Sequence, residues 1–158
     1  MQLLPSFADG LSLLVSLDKR TIVWQDLNTK GQGTGNNPSQ SSVSVGDVVI
    51  KMQLMKATAL SMHVIALSQK GHIYKLQLNP QRGLTVEQLY AQTSQRNITV
   101  TSSSIVCGVD TDFFTVLYGT DEGQVGMIKR DTSGIQQKII RQTDRNVKIS
   151  SVLLLRNG

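Results

Sequence analysis

The sequence predicts an all-β fold built of repeated antiparallel units, and three observations carry that prediction. Hairpin-like stretches recur at near-constant spacing. Thr, Ser, Val and Ile are plentiful while charged residues make up only 17% of the chain, a balance that favours strands. Short apolar runs are separated by polar turns bearing Gly, the pattern of strands joined by tight connections.

The stretch LSQKGHIYKLQLN, residues 67–79, shows the unit most clearly. An apolar run enters it, a polar turn carrying Gly71 interrupts it, and alternation resumes through Ile73, Leu76 and Leu78. SLDKRTIVW (16–24) and YGTDEGQVGMI (118–128, with Gly123) repeat the pattern. Aligning Ile22, Ile73 and Val125 as the first apolar residue after each turn gives gaps of 51 and 52 residues. A second mark is interleaved with the first. Arg96-Asn97-Ile98-Thr99-Val100 returns after 49 residues as Arg145-Asn146-Val147-Lys148-Ile149, and Gly46-Asp47-Val48-Val49-Ile50 lies 50 residues before it. A unit of roughly fifty residues is the length of a propeller blade. The expected architecture is a partial β-propeller of about three antiparallel blades, with units at 1–46, 47–95 and 96–144 and the start of a further unit at 145–158.

Within the middle unit the strands are expected at Val48–Met55, His63–Leu67 and His72–Leu78, with Leu84–Gln95 as strand or loop because Thr85 and Val86 favour extension. Gly31–Ser44, GQGTGNNPSQSSVS, reads as a loop by composition. Its glycines do not fit a dinucleotide fingerprint, and no helix follows to hold an anion. A blade buries its faces only against its neighbours, and closed rings use about four to eight of them. Leu153-Leu154-Leu155 stands where another hairpin should begin. The chain is therefore expected to be part of a larger propeller, either as a fragment of a longer chain or completed by a partner.

A chain of 158 residues with 4% aromatics can hold one domain whose core is mainly Val, Ile and Leu. Cys107 is its single cysteine, which excludes an internal disulfide or thiolate cage and fits an intracellular protein, cytoplasmic or nuclear. Cys107 reads as a small buried hydrophobe. LSLLVSL at 11–17 is too short to span a bilayer and has no basic segment before it, so no membrane span or secretory signal is expected. The Asn97-Ile98-Thr99 sequon is accidental in that compartment.

The net charge of +5 lies wholly in residues 129–158, where seven basic residues (Lys129, Arg130, Lys138, Arg141, Arg145, Lys148 and Arg156) face Asp131 and Asp144. Such a face could draw an acidic protein surface, nucleic acid or anionic lipid. The first six are the candidate partner-binding residues. They are scattered and lack an aromatic stacking platform, which disfavours nucleic acid and fits a solvated strand face.

No catalytic constellation is expected. His63 and His72 have no Cys, His or acidic residue at ligand spacing, so no metal site is predicted. Asp110 and Asp112 alternate, which would put both carboxylates on one side, but their setting after Gly108 reads as a turn. No Gly-x-Ser-x-Gly elbow is present, and no cofactor is expected. His72 reads as an exposed turn residue, and Trp24 and Tyr74 as core.

At this level of detail the hairpin resembles the blades of the regulator of chromosome condensation family. His63, Ala66-Leu67-Ser68, Gly71 and Ile73-Tyr74 fall on that family's blade pattern in order. Asn28-Thr29-Lys30-Gly31-Gln32-Gly33-Thr34-Gly35 and Pro38 follow its continuation with a leucine missing, and Ile105-Val106-Cys107-Gly108 is similar to its approach to an inner strand. The pattern is degenerate: Leu60, Thr111 and Ser12 stand where Gly or His is expected. Ser16-Leu17-Asp18 through Val23-Trp24 is similar to a WD-repeat strand, and Tyr118 to Gly126, including Gly123, resembles hairpins of Bardet–Biedl-type propellers. The resemblance implies structural roles for His63, through hydrogen bonds that support packing, and for Gly71, Tyr74, Gly108 and Gly123.

What the resemblance implies about function is a non-catalytic platform for other protein subunits, as in ubiquitin ligases, ciliary transport or vesicle traffic. An alternative it implies is a guanine-nucleotide exchange factor acting on a small GTPase. Nucleic-acid binding through the basic face is a second alternative, read from the charge alone.

Overall fold

The computed structural model describes residues 2–5, 11–17, 20–26, 40–93, 97–109, 111–144 and 147–155. They form twelve strands: β1 (Gln2–Pro5), β2 (Leu11–Leu17), β3 (Thr21–Asp26), β4 (Gln40–Ser44), β5 (Val49–Ala57), β6 (Met62–Ser68), β7 (Ile73–Asn79), β8 (Gly83–Tyr90), β9 (Val100–Cys107), β10 (Phe114–Thr120), β11 (Gln124–Asp131) and β12 (Gly134–Gln142). These make three four-stranded sheets, β1–β4, β5–β8 and β9–β12, each in sequence order. Every described pairing is antiparallel. The all-β expectation holds, and among the described residues no helix is long and apolar enough to cross a membrane.

The three aligned hairpins occupy the same place in each sheet, joining its second strand to its third. Ile22, Ile73 and Val125 pair with Ser16, Leu67 and Gly119 across the respective ladders. Two of the three turns hold glycine where the backbone is left-handed, at φ +83° for Gly71 and +76° for Gly123, a region costly for any residue with a Cβ. Gly71 N–H donates to Ser68 C=O at 3.0 Å and Gly123 N–H to Thr120 C=O at 3.4 Å.

Two stretches sharpen the sequence reading. Leu84–Gln95, expected as strand or loop, is strand as far as Tyr90. The Asn79 carboxamide oxygen accepts from the N–H of Gln81 and Arg82, and the chain returns at Gly83 to start β8. Gly31–Ser44, expected to be loop throughout, ends in strand β4, while residues 31–39 lie outside the described residues. The Ser-rich composition of β4 hides a strand decided by its partner. β3 presents a free edge to it, Val43 packs on the core, and Ser41 Oγ accepts from Leu84 N–H at 2.9 Å.

Two apolar clusters hold the sheets face to face. The first joins Ile22 and Trp24 of the first sheet to Met52, Val64, Ala66, Tyr74, Leu76 and Leu78 of the second. The other joins Met55, Ile65, Leu67 and Ile73 of the second sheet to Ile105, Cys107, Phe114, Val116, Tyr118 and Ile128 of the third. The middle sheet is thus buried on both faces, which is why β6 reads MHVIALS without polar alternation. Each fully buried Ile or Leu contributes about 1.5–3 kcal/mol.

A recurring connection carries the chain from one sheet to the next. Val45 N–H donates to Arg20 C=O at 2.8 Å, Val100 N–H to Gln69 C=O at 2.7 Å, and Ile149 N–H to Thr120 C=O at 3.0 Å. Each bond pins the outgoing chain to the hairpin turn of the sheet it has just left. After the last, Val147–Leu155 belongs to no sheet.

Candidate functional site

The third sheet has one face that faces the second sheet and one that no described sheet covers. Register assigns the residues. Tyr118, Val116 and Phe114 lie opposite Gly126, Ile128 and Arg130 on the inward side. Gly119, Leu117 and Thr115 lie opposite Val125, Met127 and Lys129 on the outward side. The hairpin alignment makes Leu117 the counterpart of Ile65 and Val125 the counterpart of Ile73. Ile65 and Ile73 are 0% exposed between the second and third sheets, and Ile22, the counterpart in the first sheet, is also 0% exposed. Leu117, Val125 and Met127 remain half-buried.

Five of the six basic residues are described, and the structure does not gather those five into one cluster. Lys129, Lys138 and Arg141 lie on the outward side, with Lys138 beside Met127 and Arg141 beside Val125 in register. Arg130 lies on the inward side, between Phe114 and Ile135. Arg145 lies outside the described residues, as does Arg156. Lys148 is exposed on the connection after β12. Lys129 Nζ is 3.2 Å from an Asp131 carboxylate oxygen. The Ser133 hydroxyl and N–H, with Lys129, hold that carboxyl at about 2. Lys138, Arg141 and Lys148 have no ion-pair partner among the described residues.

The segment 147–155 runs over this outward face along β9. Ile149 lies against Gly119, whose missing side chain makes the room. The Thr101 and Ser102 hydroxyls donate to Ile149 C=O at 2.7 and 3.1 Å, and Leu154 N–H donates to Ser104 Oγ at 3.1 Å. Leu153 and Leu155 are 70% and 78% exposed. Of the basic residues expected to bind a partner, Lys129, Lys138 and Arg141 border this face, whereas the apolar residues Leu117, Val125 and Met127 at its centre were not among the expected site residues.

A second polar cluster sits between the second and third sheets. His63 Nδ1 and Lys75 Nζ are each 3.9 Å from a carboxylate oxygen of Asp112, on the β9–β10 connection. Among the described residues neither ring nitrogen of His63 has a hydrogen-bond partner, and the ring lies partly buried beside the charges of Lys75 and Asp112. Burial lowers the His63 pKa, Lys75 lowers it further, and Asp112 opposes both. Asp110, the other half of the expected carboxylate pair, lies outside the described residues. His72 is half-buried, not exposed as expected, because its Nδ1 accepts from Gln92 N–H at 3.0 Å as the chain leaves β8.

The remaining singled-out residues are framework. Tyr74 and Trp24, 7% and 3% exposed, sit in the first cluster. Gly108 N–H donates to Phe113 C=O at 2.9 Å, closing the β9–β10 connection. An open cleft of about 430 Å³ lies along the contact between β5 and β9, lined by Gln53, Met55, Lys56, Ile105 and the buried Cys107 among others. No group of three or more His, Cys, Asp or Glu that could hold a metal ion occurs among the described residues. No family profile matches the chain, and neither the curated proteins nor the solved structures yield a match to it.

Proposed function

We propose that this chain is a non-catalytic protein-interaction platform, a β-propeller segment that works within a larger intracellular scaffold or trafficking complex. One observation carries the reading. Ile22 and Ile73 are fully buried against the sheet that follows, while their counterpart Val125 is left half-buried with no described sheet beyond it. Four-stranded antiparallel sheets stacked face to face in chain order are the building pattern of propellers, and such units are stable only when neighbours cover them. A surface of this kind selects protein partners by shape and charge without a catalytic group.

The test is purification of the tagged chain from cells, with co-purifying chains identified and their stoichiometry measured by sedimentation. A stoichiometric protein partner that is lost on Leu117→Asp supports the reading. A chain that sediments as a monomer and unfolds in one sharp transition, with no partner recovered, refutes it.

A further inference from the structure

We propose that the outward face of the third sheet, together with the unpaired segment 150–155, is a docking site for an antiparallel β-element of a partner protein that is apolar toward the face and acidic along its far edge. The inference rests on the platform reading above and adds the geometry and chemistry of the partner.

The position of 150–155 sets the geometry. The bond from Val100 N–H to Gln69 C=O marks where the chain passes into β9, the first strand of the third sheet. The bond from Ile149 N–H to Thr120 C=O marks the same point one sheet later. Residues 150–155 therefore stand beside β9 where the first strand of a following sheet would run. Six residues in extended form reach about 20 Å, the length of an ordinary strand. Among the described residues, the backbone N–H groups of Ser150, Ser151, Val152 and Leu153 have no hydrogen-bond partner. A segment with unpaired backbone donors of this sort can take up an added strand, with main-chain bonds supplying affinity and alternate side chains supplying choice.

The face behind it sets the chemistry. Leu117, Val125 and Met127 offer the apolar floor, and the counterparts of the first two, Ile65 and Ile73, are fully covered between the second and third sheets. Lys138 and Arg141 lie along the outer edge in β12, and Lys148 lies on the connection leading into the segment. Asp131, the acid at the end of β11, is already engaged by Lys129 and Ser133. A basic partner would be repelled, and an acidic one steered into register. The charge also counts against a second copy, because Gln25, Gln40, Ser42 and Ser44, at the alternate positions facing away from the second sheet, bring no acid.

The probe is a labelled synthetic β-hairpin with an Asn-Gly turn, Val on one face, and Glu on the outer strand, compared with the same hairpin carrying Lys. Anisotropy titration of the whole chain gives affinity, and hydrogen exchange locates the contact. The expected result is saturable binding of the Glu hairpin, slowed exchange at 150–155, and at least about tenfold weaker binding of the Lys hairpin. Val152→Pro, which removes a ladder N–H, and the pair Lys138→Glu with Arg141→Glu should each weaken the Glu hairpin by about tenfold or more. Unchanged melting curves show that these variants remain folded. Equal binding of the two hairpins, or protection elsewhere, overturns the site. So does a labelled single-stranded oligonucleotide that binds where neither hairpin does, or self-association abolished by Val152→Pro. If the chain carrying Val152→Pro, Lys138→Glu and Arg141→Glu together keeps its co-purifying partner in cells, this site is wrong and the platform reading stands.

Discussion

The Tyr118 ring lies directly across Gly126, the residue opposite it on the neighbouring strand, and its hydroxyl accepts a hydrogen bond from Gln137 Nε2 at 2.6 Å. Gln137 Oε1 in turn accepts from the Tyr90 hydroxyl at 2.6 Å. One aromatic side chain, 1% exposed, thus ties three strands of the third sheet to the outer strand of the second. A Cβ at position 126 would run into the ring, and the rigid aromatic has no easy retreat in a packed interface. Gly126→Ala should therefore destabilise the fold by about 1–3 kcal/mol, read as a lower urea midpoint. An unchanged midpoint would show that the ring is free to move.

Ile65 and Leu117 are counterparts in successive sheets, yet only Ile65 is fully buried. Ile65→Ala should cost about 2–5 kcal/mol by leaving a cavity between two sheets. Leu117→Ala should cost less than about 1.5 kcal/mol in the isolated chain. Matched urea titrations of the two variants make the comparison. Equal losses would mean that the outward face is covered after all.

Asp47 anchors the start of the second sheet to its own hairpin turn. Its carboxylate accepts from Val48 N–H at 2.7 Å and Lys70 N–H at 3.1 Å, and it is 6% exposed. Burial pushes its pKa up, but hydrogen bonds from Ser68, Val48 and Lys70 outweigh that and hold it below the usual carboxylate range. Asp47→Ala leaves two N–H groups short of an acceptor and should cost about 2–3 kcal/mol. The stability that Asp47 contributes is present above the unfolded pKa of about 4 and is lost as pH falls through the lower folded value. The variant's stability should then vary less with pH below about 4.

His63 gives a separate acid response. Burial, Lys75 and Lys56 lower its pKa from the ordinary 6.5, with Asp112 opposing. As pH falls below about 6.5 the unfolded chain takes up this proton before the folded chain does. The contribution of His63 is therefore favourable above that value and is lost as pH falls from there toward the folded pKa. Urea midpoints measured across this range should fall in the parent chain and fall less in His63→Gln. An equal slope in both would remove His63 as the source.

The hairpins were legible because their chemistry is local. Gly71 and Gly123 mark backbone positions that only glycine holds without strain, and the strand after each turn alternates as a half-buried strand must. β4 was not legible. Gln40, Ser41, Ser42 and Ser44 carry no strand signal of their own, and the strand exists because β3 has a free edge. His63 and Asp112 lie 49 residues apart, and only the stacking of two sheets brings them together.

The residues alone determined that the chain makes antiparallel β-units of near-equal length, since turn chemistry and side-chain alternation act over a few neighbours. Which faces those units bury was decided by the tertiary structure. Ile73 and Val125 are similar residues at equivalent places, and nothing local tells them apart. One is sealed and the other half-open because burial depends on what stands opposite, and among the described residues a neighbouring sheet stands opposite only Ile73.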